Sequence, residues 1–370
     1  MSTNSTYMLT QLLTDKSALG KSRIIHTEQN AALADGEVLL KIQRCAITTN
    51  NITYAAFGDS MQYWQFFPTG VEGWGHMPVW GFADVVASTV QGVETGERFY
   101  GYFPIASHIR MEAERVTERG FYDGSEHRRT LVSAYNQYTR CSADTAYSQP
   151  LENYQMLVRP LFITSFMLAD FLQDNAFFGA QRLVVSSASS KTAYGTAFCL
   201  KEFPQVELVA LTSERNRAFV EGLGCYHKTV SYEELETQPA DLPTTYVDFS
   251  GDVELRARTH HHYGDALDYD CFAGSAQNTG VTVDAGLPGP KPALYFAPVQ
   301  IRKRNADWGP QVVNERFNAA QASFIRHISD PGHQWMKIVE EEGFAAAQTL
   351  IGKLHDGKID AQQGRVIRLA

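Results

Sequence analysis

The sequence has few cysteines, and their spacing fits neither a disulfide framework nor a zinc site. Its 370 residues include five cysteines, an odd number, and no two of them form a C-x-x-C pair. Structural zinc sites and disulfide frameworks depend on paired or regularly spaced cysteines. Scattered single thiols are typical of compartments that keep cysteine reduced. We therefore expect a cytoplasmic protein without a bound metal.

Long apolar runs and an excess of basic residues are also missing. No apolar run approaches the roughly 18–20 residues of a transmembrane helix, and residues 1–17 lack the charged-then-apolar pattern of a secretion signal. The 32 lysines and arginines are outnumbered by 41 acidic residues, which gives a formal net charge of -9. Because nucleic acids and anionic membranes bind basic surfaces, we expect neither as a partner. A small-molecule substrate is the remaining expectation.

The chain is long for one hydrophobic core, so two domains are expected, and residues 181–230 carry the pattern of one of them. Apolar strands are predicted at Arg182–Ser186 and Val206–Leu211, with a loop of small residues and a helix between them. A charged helix and a short third strand follow. In such β-α-β-α-β units the first strand-to-helix turn binds dinucleotide phosphates. The pattern predicts a dinucleotide-binding domain.

The first turn of this unit lacks the usual glycines. Ser187, Ser190 and Ala193 stand at the glycine spacing, and all three are small. We expect Ser190 to cap a helix that begins at Lys191. A lysine in a first turn opposes the helix dipole unless an anion binds there. The alternative is a plain turn with a solvent-facing lysine. We predict cofactor-binding residues along the loop: Ser187, Ser189, Ser190, Lys191 and Thr192.

The end of the second strand distinguishes NADP from NAD. An acidic residue there would bind the adenosine ribose hydroxyls, whereas small polar residues with a cation accept a 2′-phosphate. Thr212, Ser213 and Arg215 favour NADP(H), and Glu214 is the contrary sign. Arg215 is also open to a simpler interpretation as a solvated arginine in the first turn of a helix.

Small and aromatic residues end three further predicted strands, at Thr244–Phe249, Ala266–Ala273 and Pro292–Ala297. The carboxyl ends of parallel strands face the ligand crevice. We therefore predict that five residues flank the nicotinamide: Ser250, Gly251, Phe272, Ala273 and Phe296. The basic triplet 302–304 that follows is compatible with phosphate binding or with a solvated turn.

The two ends of the chain are β-rich. Strands are predicted at 37–44, 83–90, 97–103, 108–116 and 364–369, and helices at 131–140, 161–172, 252–262 and 335–354. No element is assigned to residues 1–20, and the aromatic stretch 57–82 is predicted to be a loop. The return of strands after the α/β region indicates a discontinuous first domain.

Several stretches follow one another as in a known superfamily. They are DGEVLLKIQRCAITTNNITYAAFG (35–58), GFADVVAST (81–89), GVETGERFYGY (92–102), LGCYHKTVSYEEL (223–235), VDFSG (247–251) and GKIDAQQGRVIRL (357–369). Their order resembles the medium-chain dehydrogenase/reductase superfamily, in particular its zinc-free quinone-reductase and enoyl-reductase branch. The aromatic stretch and the loop SSASSKTA are similar to an uncharacterised bacterial and fungal subgroup of it.

The resemblance implies an α/β fold class with two domains. Residues 1–155 and 301–370 would form a discontinuous, β-rich, GroES-like catalytic domain. Residues 156–300 would form a Rossmann-type domain with a doubly wound parallel sheet. Members of the branch are often dimers, so a homodimer is an expectation.

The resemblance also bears on the catalytic residues. Zinc-dependent members place cysteine and histidine ligands where this chain has Thr48 and Trp80, and neither of these coordinates zinc. A zinc-free reductase needs another proton donor near the nicotinamide. We predict Tyr54 first and Tyr63 second, with Asn51 on the same cofactor-facing loop. The alternative is that these tyrosine rings simply pack.

Other interpretations stay open. The run His260–His262 is interpreted as a surface helix end, because adjacent histidines point in different directions and lack acidic partners at ligand spacing. The predicted activity is NADPH-dependent hydride transfer to an activated C=C or C=O of a small, partly aromatic substrate. The aromatic stretch would line its pocket or form an extra core. A lyase or aldolase-like enzyme without net redox change, and a non-catalytic NADP sensor, are the alternatives.

Overall fold

The computed structural model describes residues 5–274, 286–332 and 335–369. The chain divides into two compact units, residues 1–157 with 338–370, and residues 158–337. The first boundary lies close to the expected one at residue 155. The second boundary lies after residue 337 and not at the expected residue 300, so residues 301–337 belong to the second unit and not to the β-rich one.

The elements are numbered in chain order. The strands and helices are β1 Thr6–Asp15, β2 Ser22–Asn30, β3 Glu37–Ala46, α1 Thr49–Ala56, β4 Trp74–Gly75, β5 Val79–Ser88, β6 Arg98–Phe103, β7 His108–Thr117, β8 Gly120–Asp123, β9 Gln137–Arg140, α2 Glu152–Asp174, β10 Arg182–Val185, α3 Lys191–Leu200, β11 Glu207–Thr212, α4 Arg217–Gly222, β12 Lys228–Ser231, β13 Thr244–Asp248, α5 Val253–Tyr263, β14 Leu267–Phe272, β15 Ala293–Leu294, α6 Ala297–Trp308, α7 Pro310–Ser329, β16 Lys337–Glu342, α8 Phe344–His355 and β17 Gln363–Arg368.

The first unit is built around a sheet that closes on itself. Its strand order is β16-β17-β3-β5-β6-β9-β8-β7, and β3 pairs with β7 as well. Val38, Leu40 and Ile42 alternate along β3 and are fully buried in the core, as expected for one face of a strand. A small sheet, β2-β1-β4, belongs to the same unit. This is the predicted β-rich, GroES-like architecture.

The second unit is a parallel sheet in the order β12-β11-β10-β13-β14-β15. Leu183 and Val184 are adjacent in β10 and both fully buried. Adjacent buried residues require cover on both faces of the strand, which is typical of parallel sheets between helices. The predicted Rossmann-type fold class is confirmed, and the predicted strands of this unit lie within a few residues of β10, β11, β13 and β14.

One predicted helix is wrong, and a second begins later in the chain than predicted. Residues 131–140 contain a short 3₁₀ turn at Ser133–Tyr135 followed by β9, because β9 pairs with β6 and β8 and buries Tyr138 in the barrel core. Residues 335–354 begin with β16 instead of a helix. Glu342 in β16 pairs with Arg368 of β17 at 2.6 Å, and Gly343, with φ of 86°, separates β16 from α8. Long-range strand pairing overrides local helix propensity in both places.

The unassigned N-terminal residues form β1 and β2. The two strands pair antiparallel from Thr6 opposite Asn30 to Thr14 opposite Ser22. Most of β2 faces solvent, so its sequence lacks the apolar alternation that identifies a half-buried strand.

One helix among the described residues, Gln149–Asp174, is long and apolar enough to cross a membrane by length and composition. Within its most apolar window, 56% is buried inside the protein. Core helices of globular proteins share both properties.

Candidate functional site

The turn after β10 lacks the expected glycines, but it contains one left-handed residue and ends in a capped helix. Ser187 lies in the left-handed region with φ of 46°, which glycine adopts most readily. Ser190 is the N-cap of α3, and its Oγ accepts a hydrogen bond from the Ala193 N–H at 3.3 Å. The predicted cap is therefore confirmed. The positive end of the α3 dipole lies at this turn, which suits an anion.

Two contacts from other segments hold this turn. The Ser187 N–H donates to the Tyr232 hydroxyl at 3.2 Å, and Asn216 Nδ2 donates to Ser189 Oγ at 3.1 Å. A phosphate bound at the turn would compete with Tyr232 for the Ser187 N–H. The sequence pattern gave no signal for Tyr232, which lies on a later segment after β12.

Close packing of α3 against α2 depends on Gly195. A Cβ added at Gly195 would lie 2.7 Å from Ser165 Oγ and 3.3 Å from Phe162 Cδ2. Ser165 Oγ also donates to the Thr192 carbonyl at 2.8 Å. The glycine that permits close helix packing thus stands two residues after Ala193, the predicted position. Lys191 and Thr192 are half-buried in the first turn of α3.

The carboxyl end of β11 holds a buried hydroxyl. Thr212 is 1% exposed, and its Oγ1 has no hydrogen-bond partner among the described residues. Ser213 is half-buried, whereas Arg215 and Glu214 are exposed. Glu214 forms an ion pair with Arg217 at 3.2 Å, so its charge is partly balanced. A buried polar atom without a partner at this strand end fits a cofactor hydroxyl or phosphate oxygen.

Asp248 at the end of β13 accepts hydrogen bonds from the predicted Ser250–Gly251 segment. Its Oδ1 accepts from the Ser250 N–H at 2.9 Å, from Ser250 Oγ at 2.7 Å and from the Gly251 N–H at 3.1 Å. Ser186 Oγ donates to the same oxygen at 2.8 Å. Asp248 was not singled out by the sequence, because its partner Ser186 lies 62 residues away along the chain.

The aromatic residues at the next strand ends differ in exposure. Phe272 is buried at the end of β14, and the guanidinium carbon of Arg256 lies 4.8 Å from its ring centroid. Ala273 is half-buried, and its N–H donates to the Asp248 carbonyl at 2.9 Å. Phe296 is 45% exposed as the N-cap of α6. Ser250, Gly251, Phe272 and Ala273 therefore lie together, and Phe296 lies two residues after Leu294, which pairs with Phe272.

The basic triplet lies inside α6 and not in a turn. Arg304 Nε forms an ion pair with Asp170 at 2.6 Å, and its Nη2 with Asp174 at 3.0 Å. Lys303 pairs with Asp174 at 2.8 Å and with Asp307 at 3.0 Å. These acidic partners balance the two cations within the second unit.

The surface interpretation of the histidine run is wrong for His260. His260 is fully buried, its Nδ1 donates to the Pro288 carbonyl at 2.7 Å, and its Nε2 lies 2.8 Å from Asp270 Oδ2. Burial acts to lower the pKa of His260, but the hydrogen bonds with Asp270 and Pro288 outweigh it and raise the pKa. Burial raises the pKa of Asp270. Within residues 5–274, 286–332 and 335–369, no group of three His, Cys, Asp or Glu side chains could hold a metal.

In the first unit, Asn51 and Tyr54 lie on α1 and not on a loop. The Asn51 amide is buried; its Oδ1 accepts from the Thr48 N–H at 2.6 Å, and its Nδ2 donates to the Pro78 carbonyl at 2.7 Å. These bonds make Asn51 part of the capping box that begins α1. Its polar atoms are therefore used in fixing the position of the helix that carries Tyr54.

Tyr54 belongs to a tyrosine cluster, defined as Tyr54, Tyr63, Tyr102 and Tyr135. The Tyr54 ring centroid lies 4.8 Å from that of Tyr63 and 5.5 Å from that of Tyr102. The hydroxyls of Tyr63 and Tyr135 are 3.3 Å apart. Burial raises the pKa of Tyr54 to about 12, so its phenol is protonated at neutral pH. The cluster is also an apolar core with Phe66, Phe67 and Leu131, which agrees with the packing alternative.

The aromatic stretch divides between two cores. Tyr63 is a member of the tyrosine cluster, and Phe66 and Phe67 pack against it. Trp64 packs instead in the barrel core. Trp80 is half-buried, and its Nε1 donates to the Tyr54 hydroxyl at 3.2 Å. The sequence missed Tyr102 and Tyr135, the first in a strand and the second in a segment predicted to be helical.

A surface depression of about 780 Å³ lies elsewhere in the first unit. Arg44, Arg98 and Glu152 line it together with Asp84 and Arg368. Arg98 pairs with both Asp84 and Glu152 at 2.6 Å. The charges that line the depression are thus largely balanced. None of the predicted site residues lines the depression.

One protein-family model matches most of the chain. A family model described as protein of unknown function (DUF2855) matches residues 45–360. No curated protein matches the sequence.

Solved structures of low sequence identity share the fold. CurA from Vibrio vulnificus in complex with NADPH is 13% identical, with a TM-score of 0.62 over 98% of this chain and 99% of that chain. The yhdH oxidoreductase from Salmonella enterica in complex with NADP is 14% identical, with a TM-score of 0.53 over 99% and 100%. The quinone oxidoreductase from Coxiella burnetii is 12% identical, with a TM-score of 0.51 over 98% and 100%. The chain therefore shares the fold of these structures, in agreement with the expected two-domain α/β fold class.

Proposed function

The chain belongs to the DUF2855 family, whose function is unknown, and we propose that it is an NADPH-dependent oxidoreductase. The reaction proposed is hydride transfer to an activated C=C or C=O of a small, partly aromatic substrate, without zinc. The turn after β10 supports this proposal, because its left-handed Ser187 and the capped N-terminus of α3 would suit an anion at the strand end used by dinucleotides. Neighbours of the same fold contain NADPH or NADP.

The residues of the second unit would hold the cofactor in three places. The turn residues Ser187, Ser189, Ser190, Lys191 and Thr192 would bind the pyrophosphate. Thr212, Ser213 and Arg215 would bind the adenosine ribose and its 2′-phosphate. Ser250, Gly251, Phe272, Ala273 and Phe296 would flank the nicotinamide. NADPH supplies the hydride when bound.

In the first unit, Tyr54 would supply the proton that completes the reduction. Its pKa of about 12 keeps the phenol protonated, as a general acid requires. Trp80 donates to the Tyr54 oxygen, which leaves the phenolic proton directed to another acceptor. Tyr63 and Asn51 would orient this group, the first by ring contact and the second by fixing α1. Thr48 and Trp80, at the ligand positions of zinc-dependent relatives, do not coordinate zinc.

A titration with NADPH and NADH tests the cofactor. Nucleotide fluorescence and thermal shift should show tight NADPH binding, weaker NADH binding, and a weaker response to NADPH in Lys191→Ala. Saturation at a hundred times the dissociation constant stabilises the native state by about 2.7 kcal/mol. Lys201→Ala, at the opposite end of α3, is the matched control and should bind as the wild type does. Absence of binding by either nucleotide would refute the reductase proposal.

A non-catalytic NADP-binding sensor is a second candidate, favoured by the packing of the tyrosine cluster. Tyr54 is 6% exposed and lies among aromatic rings, as a structural tyrosine would. A screen of enones, quinones and aldehydes at saturating NADPH separates the two. NADPH oxidation with any acceptor supports the reductase, and binding without oxidation supports the sensor or a non-redox enzyme.

We also propose a cytoplasmic homodimer, paired through the edge of the parallel sheet. Within the described part of the chain, β15 pairs only with β14. Leu294 and Val299 expose apolar surface beside this edge, and such an edge is suited to pairing with a second copy. Light scattering should give the mass of a dimer, and Leu294→Lys should give a monomer. A monomeric wild type would refute this proposal.

A further inference from the structure

One buried carboxylate joins two segments that are far apart in the sequence. Asp248 Oδ1 accepts from Ser186 Oγ at 2.8 Å, and Ser186 immediately precedes the turn after β10. The same oxygen accepts from the Ser250 N–H and the Gly251 N–H, at the loop after β13. Ser186 Oγ in turn accepts from the N–H groups of Phe249 and Ser250 at 3.0 and 3.1 Å.

The charge of Asp248 is held in place by Arg256. Both side chains are almost fully buried, and Arg256 donates from Nε at 3.1 Å and from Nη2 at 2.6 Å to Asp248 Oδ2. Both bonds end on Oδ2, while Oδ1 accepts from Ser186, Ser250 and Gly251, so both oxygens of the carboxylate are held. Arg256 Nε also lies 3.7 Å from Asp270, whose partner is His260. Two acidic and two basic side chains therefore form one buried network.

This arrangement constrains the backbone at both strand ends. Gly251 has φ of 65°, and its N–H points at the carboxylate. A neutral amide at position 248 would offer a single acceptor oxygen, so it could not satisfy the Ser186, Ser250, Gly251 and Arg256 donors together. Loss of the carboxylate would leave the loop after β13 held to Ser186 only by the bonds that Ser186 Oγ accepts from the Phe249 and Ser250 N–H groups.

We propose that Asp248 is a positioning residue for NADPH. It sets the distance between the turn that binds the pyrophosphate and the Ser250–Gly251 loop that flanks the nicotinamide. Asp248 is buried behind these loops, so it acts through Ser186, Ser250 and Gly251 without contacting the nucleotide. This inference rests on the proposed binding of NADPH by the second unit.

The test compares two probes on Asp248→Asn, Ser186→Ala and a matched control. The probes are NADPH and adenosine 2′,5′-bisphosphate, which lacks the nicotinamide half. The control is Asp123→Asn, because Asp123 and Arg128 form a comparably buried ion pair of 2.6 Å in the first unit. Affinities are measured at a temperature where circular dichroism shows each variant to be folded. Ser186→Ala removes one hydroxyl, so it remains informative if Asp248→Asn does not fold.

The expected result is a loss of NADPH affinity of at least ten-fold in Asp248→Asn and about three-fold in Ser186→Ala. Affinity for the bisphosphate should change less than three-fold, since that probe does not reach the loop after β13. Asp123→Asn should bind both probes as the wild type does.

Wild-type affinity for NADPH in both Ser186→Ala and Asp248→Asn would overturn the inference. Equal losses for the two probes, or an equal loss in Asp123→Asn, would also overturn it, because they indicate general loosening. A wild type that binds no NADPH would overturn the proposed function itself, and this inference with it.

Discussion

Trp80 Nε1 donates a hydrogen bond to the Tyr54 hydroxyl oxygen across 3.2 Å. An indole N–H has no acceptor capacity, so the Tyr54 proton must be directed elsewhere. Burial raises the pKa of Tyr54 to about 12, while the Trp80 hydrogen bond acts in the opposite direction. Tyr54 is thus a protonated phenol whose oxygen already accepts one hydrogen bond.

Replacement of this phenol is the direct test of its proposed role. Tyr54→Phe should lower the rate of NADPH oxidation by about 10²–10⁴-fold, the usual contribution of a general acid, and leave NADPH affinity unchanged. Stopped-flow absorbance of NADPH measures the rate. Tyr122→Phe, in β8 outside the tyrosine cluster, is the control and should keep the wild-type rate. Full activity in Tyr54→Phe would leave the tyrosine with a packing role only.

The unpartnered Thr212 hydroxyl predicts opposite effects on stability and binding. Thr212→Val keeps the side-chain shape and removes a buried oxygen without a partner in the described structure. Without ligand, the free energy of unfolding should rise by about 1 kcal/mol, since an unsatisfied polar group is lost. NADPH should bind roughly two- to ten-fold more weakly, the equivalent of one net hydrogen bond. Thr212→Ser keeps the hydroxyl and should retain affinity; equal loss in both variants would contradict the assignment.

The α/β unit was predictable from the sequence because its signals are local. Consecutive apolar residues at Leu183 and Val184 indicate a strand covered on both faces. The cap at Ser190 follows from one residue type directly before a helix. The first 30 residues gave no such signal, because the exposed strand β2 is held by its pairing with β1.

The residues that organise the candidate site were not predictable in the same way. Asp248 reads as part of a strand-end motif, and its role depends on Ser186 and Arg256, which other segments bring to it. His260 reads as one of three surface histidines, yet the fold buries it against Asp270. Burial of a charged side chain depends on the tertiary partner that balances it. A single sequence does not contain that information in a local pattern.

Two glycines offer a test of packing with opposite expected signs. A Cβ at Gly58 would lie 2.0 Å from Trp64 Nε1, whereas a Cβ at Gly222 meets no atom within 4 Å. Gly58→Ala should lower the free energy of unfolding by about 1–3 kcal/mol through overpacking. Gly222→Ala, in α4, should raise it by up to about 1 kcal/mol from helix propensity. Urea unfolding followed by tryptophan fluorescence measures both, and a neutral Gly58→Ala would contradict the packing of Trp64.

The His260–Asp270 pair predicts the direction of a pH effect on stability. His260 faces the Asp270 carboxylate and the Pro288 carbonyl, and the Arg256–Asp248 pair adjoins them. The folded pKa of His260 is raised above its ordinary value of 6.5. Its contribution to stability is therefore fully present below pH 6.5 and is lost as the pH rises through the folded pKa. In that interval the folded state holds the proton longer, so the free energy of unfolding falls by at most about 1.4 kcal/mol per pH unit.

His260→Gln isolates this contribution. The variant should be less stable than the wild type near pH 6. Its glutamine cannot take up the additional proton that lets both ring nitrogens of His260 donate, one to Asp270 and one to Pro288. The difference between the two proteins should shrink as the pH rises above 6.5. His261→Gln alters an exposed neighbour in the same helix and should show the wild-type pH profile. A difference between wild type and His260→Gln that is constant from pH 6 to 9 would mean that His260 does not carry the proton in the folded state.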